Sequence, residues 1–170
     1  MERQLLLLGL LLGEKMHGYQ LNMYLKHALG FCTDLKKSTA YYTLEKLEND
    51  GYVRKEVERE GRRPERRVYE ITEKGKSHFF DLLRSHLSEF TRTYYGDDVG
   101  IAFMDQITTV EARLLLAQKR EKVQSVLREF RELPEHGGNW RHLVNHNIAH
   151  LEAELNWLEG ILTELDPAGS

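Results

Sequence analysis

The sequence predicts a mainly α chain with a small β-hairpin, an α+β fold, followed by a helical C-terminal region. Three observations predict it. Apolar residues recur at helical spacing through most of the chain. Two short runs of strand character flank the turn "GRRPE". Near the C-terminus, apolar residues alternate at spacings of four and three, the mark of a two-position heptad seam.

The first helix spans residues 3–12, carries Leu5 to Leu8 and Leu10 to Leu12, and stops at Gly13. "EKMHGYQL" opens a second helix near Gly18, with Tyr19, Leu21, Leu25 and Leu29 in helical spacing and Gly30 as its stop. Met16 and His17 precede it, with a local packing role. "FCTDLKK" connects to a third helix that runs to about Asp50. Ser38 suits its N-cap, because a serine hydroxyl can accept a bond from an unpartnered first-turn N–H. Gly51 is placed for the left-handed C-cap conformation. Then come "YVRKEVERE", with Val53 and Val57 on one face, and "RRVYEI", with Tyr69 and Ile71. Thr72 caps a fourth helix from about Glu73 to Tyr94, whose stripe is Phe79, Leu83, Leu87 and Phe90. Three helices, a hairpin and a helix follow the order of a winged helix-turn-helix.

"YYGDDVG" marks the domain boundary, giving residues 1–94 and 95–170. A short helix is expected over 101–107. Thr108 and Glu111 form a capping box that opens a helix to about Leu133, with Leu116, Val123, Val126 or Leu127, and Phe130 on its stripe. The last helix, about Trp140 to Leu165, places Val144, Ile148, Leu151, Leu155, Leu158, Leu162 and Leu165 along its seam. Such a seam needs a partner helix, from this chain or a second copy, and is the candidate dimer interface.

Composition narrows the class. With 41 % hydrophobic and 30 % charged residues, the chain can build a core and still keep solvated helices. No apolar run is long enough to span a bilayer and no signal peptide is visible, so a cytoplasmic protein without a membrane partner is expected. The single cysteine, Cys32, excludes an intramolecular disulfide and a cysteine-based zinc cluster. Net charge is −3 but unevenly spread: residues 1–90 sum to +2 and residues 91–170 to −5. Basic charge peaks between Arg54 and Arg67, with seven Lys/Arg in fourteen positions. A solvated hairpin and a nucleic-acid contact both fit that count.

The third helix favours the second. At about 100° per residue, Ala40, Leu44 and Leu47 cluster on one side, with Thr43 beside them and Tyr41 and Glu48 on the flank. Ser38, Thr39, Tyr42, Glu45, Lys46 and Asn49 face away. Ser, Thr, Tyr and Lys on the first turns can meet base edges and phosphates, and the N-terminal end of a recognition helix enters the major groove. Ser38, Thr39, Tyr42 and Lys46 are the base-edge candidates. Tyr41, Arg62, Arg63, Arg66 and Arg67 are the phosphate candidates, since arginine offers phosphate two donors at once. Arg66 and Arg67 have an alternative, ion pairing across the hairpin with Glu56 and Glu58.

"LLLLGLLLGEKMHGYQL", "STAYYTLEKLENDGYV" and "GRRPERRVYEITEKGK" together resemble the PadR family of bacterial transcriptional regulators. The most specific parts are Tyr41, Leu44, Leu47 and Glu48, and then Arg67, Tyr69, Thr72 and Gly75. The resemblance covers about residues 4–76. It implies a winged helix-turn-helix with Tyr41 as the hallmark tyrosine of the recognition helix, the hairpin as the wing, and a C-terminal dimerisation region. The expected function is then a homodimeric regulator, a repressor, that binds an inverted-repeat operator in double-stranded DNA and is released by an unknown small-molecule effector.

Other features keep alternatives open. His142, His146 and His150 recur four apart on the last helix, after His136. Such spacing can chelate a metal, but the three fall on the outer side of the seam and no carboxylate lies within the run. A solvated face is the plainer reading; a metal- or pH-responsive regulator is the alternative. Trp140, Trp157, Tyr94, Tyr95 and Phe103 are either core residues or the walls of an aromatic effector pocket. The negative C-terminal half favours a cationic or neutral effector over an anionic one. A winged-helix module that binds protein instead of DNA is the remaining alternative. No phosphate-cradling glycine loop, His-Glu-x-x-His run or Gly-x-Ser-x-Gly elbow is present, so neither an enzyme nor a cofactor is expected.

Overall fold

The computed structural model describes residues 1–27, 35–58, 66–134 and 137–166. The chain divides into two compact units, Met1–Arg92 and Thr93–Ser170.

The first unit contains α1 (Glu2–Leu11), β1 (Met16–His17), α2 (Gly18–His27), α3 (Lys37–Asn49), β2 (Val53–Glu58), β3 (Arg66–Ile71) and α4 (Glu73–Ser88). The sheet is antiparallel in the order β1-β3-β2. Its third strand is what sequence reasoning missed: Met16 pairs with Tyr69 and His17 with Val68. Two residues carry no periodicity, so only the distant partner reveals the strand. Met16 is buried against the core, consistent with the packing role expected of it.

Helix α2 begins where it does because the Gln20 carboxamide oxygen accepts a bond from the His17 N–H at 2.7 Å. That is the backward half of a capping box. Leu7, Leu8 and Leu11 from α1, Leu21 and Leu25 from α2, and Ala40, Leu44 and Leu47 from α3 meet Val53, Tyr69 and Ile71 of the sheet in one core. Phe79 and Leu82 of α4 close it. A helix of 13 residues is marginal alone in water. Burying Leu44 and Leu47 supplies about 1.5–3 kcal/mol each, so packing rather than propensity holds α3.

Two expectations need correction here. Helix α3 starts at Lys37 with Lys36 at the cap position and no side-chain cap bond; Ser38 therefore lies in the first turn and keeps its hydroxyl for other partners. Helix α4 ends at Ser88 and does not reach Tyr94. Its sequence stripe continues, but Leu87 is 78 % and Phe90 92 % exposed. Among the described residues nothing buries these two side chains, and an apolar stripe left in water does not extend a helix.

The second unit contains α5 (Asp98–Ala102), a 3-10 turn (Met104–Gln106), α6 (Thr109–Arg131) and α7 (Asn139–Glu164). The Thr108 hydroxyl caps α6 by accepting from the Glu111 N–H at 3.2 Å. Helices α6 and α7 form an antiparallel pair, tied by Arg113–Asp166 at 3.0 Å, Lys119–Glu154 at 2.6 Å and Arg131–Glu152 at 2.7 Å. Leu158 is wholly buried within the chain, so that one position of the seam has no surface left for a second copy. Val144, Ile148, Leu151, Leu155, Leu162 and Leu165 keep part of theirs. No described helix is long and apolar enough to cross a membrane.

Candidate nucleic-acid interface

The site is built on α3 and the β2–β3 hairpin, which are joined at Gly51. Helix α3 ends in Gly51, whose φ of 77° is the left-handed conformation an L side chain resists. The Gly51 N–H donates to the Glu48 carbonyl at 2.9 Å and the Tyr52 N–H to the Leu47 carbonyl at 2.8 Å. This pair of bonds is a Schellman motif, and it turns the chain directly into β2.

Thr72 fixes the other side of the joint. Its hydroxyl oxygen caps α4 by accepting from the Gly75 N–H at 3.0 Å. The same hydroxyl lies 2.8 Å from the Gly51 carbonyl and 3.2 Å from that of Tyr52. The Lys74 ammonium donates to the Asp50 carbonyl at 2.7 Å, and the ring of Tyr52 stacks on His78 at 4.1 Å between centroids. One threonine thus connects the end of α3, the start of β2 and the start of α4. Thr72→Ala is expected to destabilise the chain by about 1–2 kcal/mol, the upper range for a lost N-cap, measured by chemical denaturation. An unchanged denaturation midpoint would remove Thr72 from this role.

On α3, Ala40, Thr43, Leu44 and Leu47 are buried, as the wheel requires. Thr43 satisfies its hydroxyl on the Thr39 carbonyl at 2.8 Å. Ser38 and Lys46 are exposed, Tyr42 is 70 % exposed, and Thr39 is half-buried. These four side chains therefore share the side of α3 that the core does not use.

Tyr41 behaves differently from Tyr42. It is half-buried against the core, and its hydroxyl accepts a bond from the Asn22 carboxamide at 3.2 Å. A Cβ on Gly18 would come within 2.6 Å of that hydroxyl. Tyr41 consequently locks α3 to the first turns of α2, while its own O–H hydrogen stays available for an acceptor. Lys37 sits 5.9 Å over the Tyr41 ring. Sequence reasoning overlooked Asn22 and Lys37; the i, i+4 relation of Lys37 to Tyr41 was the available signal for the latter.

In the hairpin, Arg54 pairs with Glu70 directly across the strands at 2.6 Å and with Glu56 at 3.3 Å. The hydrogen bond from Arg54 and its charge hold the Glu70 carboxyl below the usual carboxylate range. Glu70 in turn raises the guanidinium. Lys55 is held by Glu48 of α3 at 2.6 Å. Two of the seven basic residues counted along this stretch are thus neutralised locally. Glu56, one proposed partner for Arg66 and Arg67, sits instead beside Arg54. Arg67 stands opposite Val57 and is exposed. Burial pushes the Tyr69 hydroxyl pKa upward, with Arg67 and Lys55 pulling against it. Arg62 and Arg63 lie outside the described residues, as do the side chain of Arg66, Cys32 and His136.

The remaining candidates sit in the second unit. His146 and His150 meet, with their Nε2 atoms 3.1 Å apart and the rings edge to face. No group of three metal-ligating side chains occurs among the described residues. The five aromatic residues do not converge on one pocket. Tyr95 and Trp157 share a cavity, Trp140 lines a different one, and Tyr94 and Phe103 are exposed.

A three-helix core, a hairpin tied to the end of its third helix, and a polar unused face on that helix define a winged helix-turn-helix regulator. Residues 7–80 match the Transcriptional regulator PadR-like family. The chain therefore carries a PadR-like regulator domain within its first unit. It is 28 % identical to the Negative transcriptional regulator PadR of Bacillus subtilis, over 94 % of this chain and 95 % of that one. Its fold matches the crystal structure of Bacillus subtilis PadR in complex with operator DNA, with a TM-score of 0.80 and 23 % identity over 96 % and 98 % of the two chains. The structure of the same Bacillus protein in complex with p-coumaric acid matches with a TM-score of 0.79 and 22 % identity over 96 % and 98 %.

Proposed function

We propose that this protein is a homodimeric repressor that binds an inverted-repeat operator and lets go when a small molecule binds. The observation that carries the reading is the two-sided chemistry of α3. Its inner face is closed by leucine packing, and its outer face presents Ser38, Thr39, Tyr42 and Lys46 beside a basic hairpin. In this reading those four meet base edges, and Tyr41, Lys37, Arg62, Arg63, Arg66 and Arg67 meet phosphates. The Bacillus relative, a negative regulator with an operator complex and a p-coumaric acid complex, supports repression and an effector input.

Dimerisation is assigned to the second unit. The partly exposed α7 seam adjoins an apolar groove lined by Val110, Leu114 and Leu165, and a second copy would cover both. Two-fold symmetry then places half-site centres about one helical turn apart, or a multiple of it. The protein acts by binding, not catalysis, and works in the cytoplasm where its DNA is.

The test is selection from random duplex DNA, followed by titration of the winning sequence at several salt concentrations. An inverted repeat is expected, with affinity falling steeply as salt rises, because each neutralised phosphate releases counterions. No enriched sequence and weak, salt-erased binding would replace this reading with a protein-binding winged helix.

A further inference from the structure

We propose that the cavity between α7 and the segment before α5 binds a small cationic aromatic amine, and that this amine is the effector; the inference rests on the effector-released reading above. The cavity encloses about 270 Å³ and is lined by Tyr95, Asp97, Asp98, His150, Glu154 and Trp157. That volume is just below the usual range of about 300–1,000 Å³ for ligand sites, which restricts it to one aromatic ring with a short arm.

Charge selects the class. Lys119 is the one cation bonded into the site among the described residues, and it is already saturated. Its ammonium lies 2.6 Å from Glu154, 2.9 Å from Asp97 and 5.1 Å over the Trp157 ring. Burial acts to lower its pKa, but the bonds to Glu154 and Asp97 outweigh burial and raise it. Lys119 therefore stays charged and stays occupied. Asp98, the third carboxylate, has no ion pair or side-chain hydrogen bond among the described residues. An aromatic carboxylate entering here would meet three carboxylates against one spoken-for ammonium. An ammonium group would instead find Asp98 as an acceptor, and an aromatic ring would find the side chains of Tyr95 and Trp157 among the lining of the cavity. His150 is engaged with His146.

The test uses the full-length protein and three probes that share one phenol ring: tyramine, 4-ethylphenol and 3-(4-hydroxyphenyl)propionate, which are cationic, neutral and anionic at neutral pH. Calorimetry should give tyramine the tightest binding, by about tenfold or more over the other two, as a charge-assisted hydrogen bond requires. Asp98→Asn, an exposed and nearly isosteric change, should erase that advantage and leave the melting temperature unchanged. Equal binding of the three probes, tighter binding of the propionate, no binding of any up to millimolar concentration, or an Asp98→Asn variant that keeps the preference would each overturn the ligand class. Operator release is read separately, by fluorescence anisotropy of labelled operator DNA. Tyramine binding that depends on Asp98 without operator release would uphold the cationic site and overturn its role as the effector site. Failure to bind any DNA sequence would instead count against the regulator reading.

Discussion

Gly75→Ala should melt well below the wild-type chain, although the position is helical and alanine is the better helix former. In an open helix the exchange gains about 0.5–1 kcal/mol. Here a Cβ at residue 75 would stand 2.0 Å from the Tyr52 carbonyl oxygen and 2.8 Å from Ile71 Cγ1. A backbone carbonyl cannot swing aside as a flexible side chain would. It is also an acceptor in the joint: the Thr72 N–H donates to it at 3.0 Å. Overpacking typically costs about 1–3 kcal/mol, and more where the backbone must move. The upper end applies, because relief means separating α4 from the start of β2. For a unit of this size each kcal/mol lowers the melting temperature by about 4–8 °C, so a fall of more than about 10 °C is expected by circular dichroism. Gly160→Ala is the control: among the described residues nothing lies within 4 Å of its Cβ position on α7, and its melting temperature should hold or rise. A Gly75→Ala melt at the wild-type temperature would show that α4 and β2 do not approach as described.

The second large effect falls on DNA. Tyr42→Ala should weaken binding to the selected operator by about 1–3 kcal/mol, roughly 5- to 150-fold, and change non-specific binding little. Because Tyr42 projects away from the core, stability should move by less than about 0.5 kcal/mol. Arg67→Ala should act in the complementary way, weakening all sequences alike and reducing the salt slope by about one. Tyr41→Phe separates a third role: it removes the acceptor of the Asn22 bond, so its effect should appear in stability as well as affinity. Operator binding by Tyr42→Ala at wild-type strength and preference would exclude the outer face of α3 as the reading surface.

These contrasts follow from which features the chain wrote locally. The Gly51 stop, the Thr72 cap and the Thr108 cap each depend on neighbours within a few positions, so residue type and spacing sufficed to identify them. The division of α3 into buried and exposed faces was equally legible, because helical geometry carries a side chain's direction from one turn to the next. The identity of the wing followed from two strand-like runs around a glycine and a proline. Ser38 failed as a cap because the observed cap position, Lys36, lies only two residues earlier, and local chemistry alone does not separate them.

The sequence by itself determined the order of elements, the turn and cap residues that delimit them, and the face of α3 that is left out of the core. Tertiary structure alone decided the rest. It made Met16–His17 a strand through partners some fifty residues away, and it ended α4 where burial ran out. It assigned Arg54 and Lys55 to carboxylates, and it separated Tyr41, the lock, from Tyr42, the free ring. It also gathered Asp98, His150 and Trp157 around one cavity. The physical reason is common to all five. Hydrogen-bond pairing, burial and ion pairing act between atoms close in space, and only the folded chain says which residues those are.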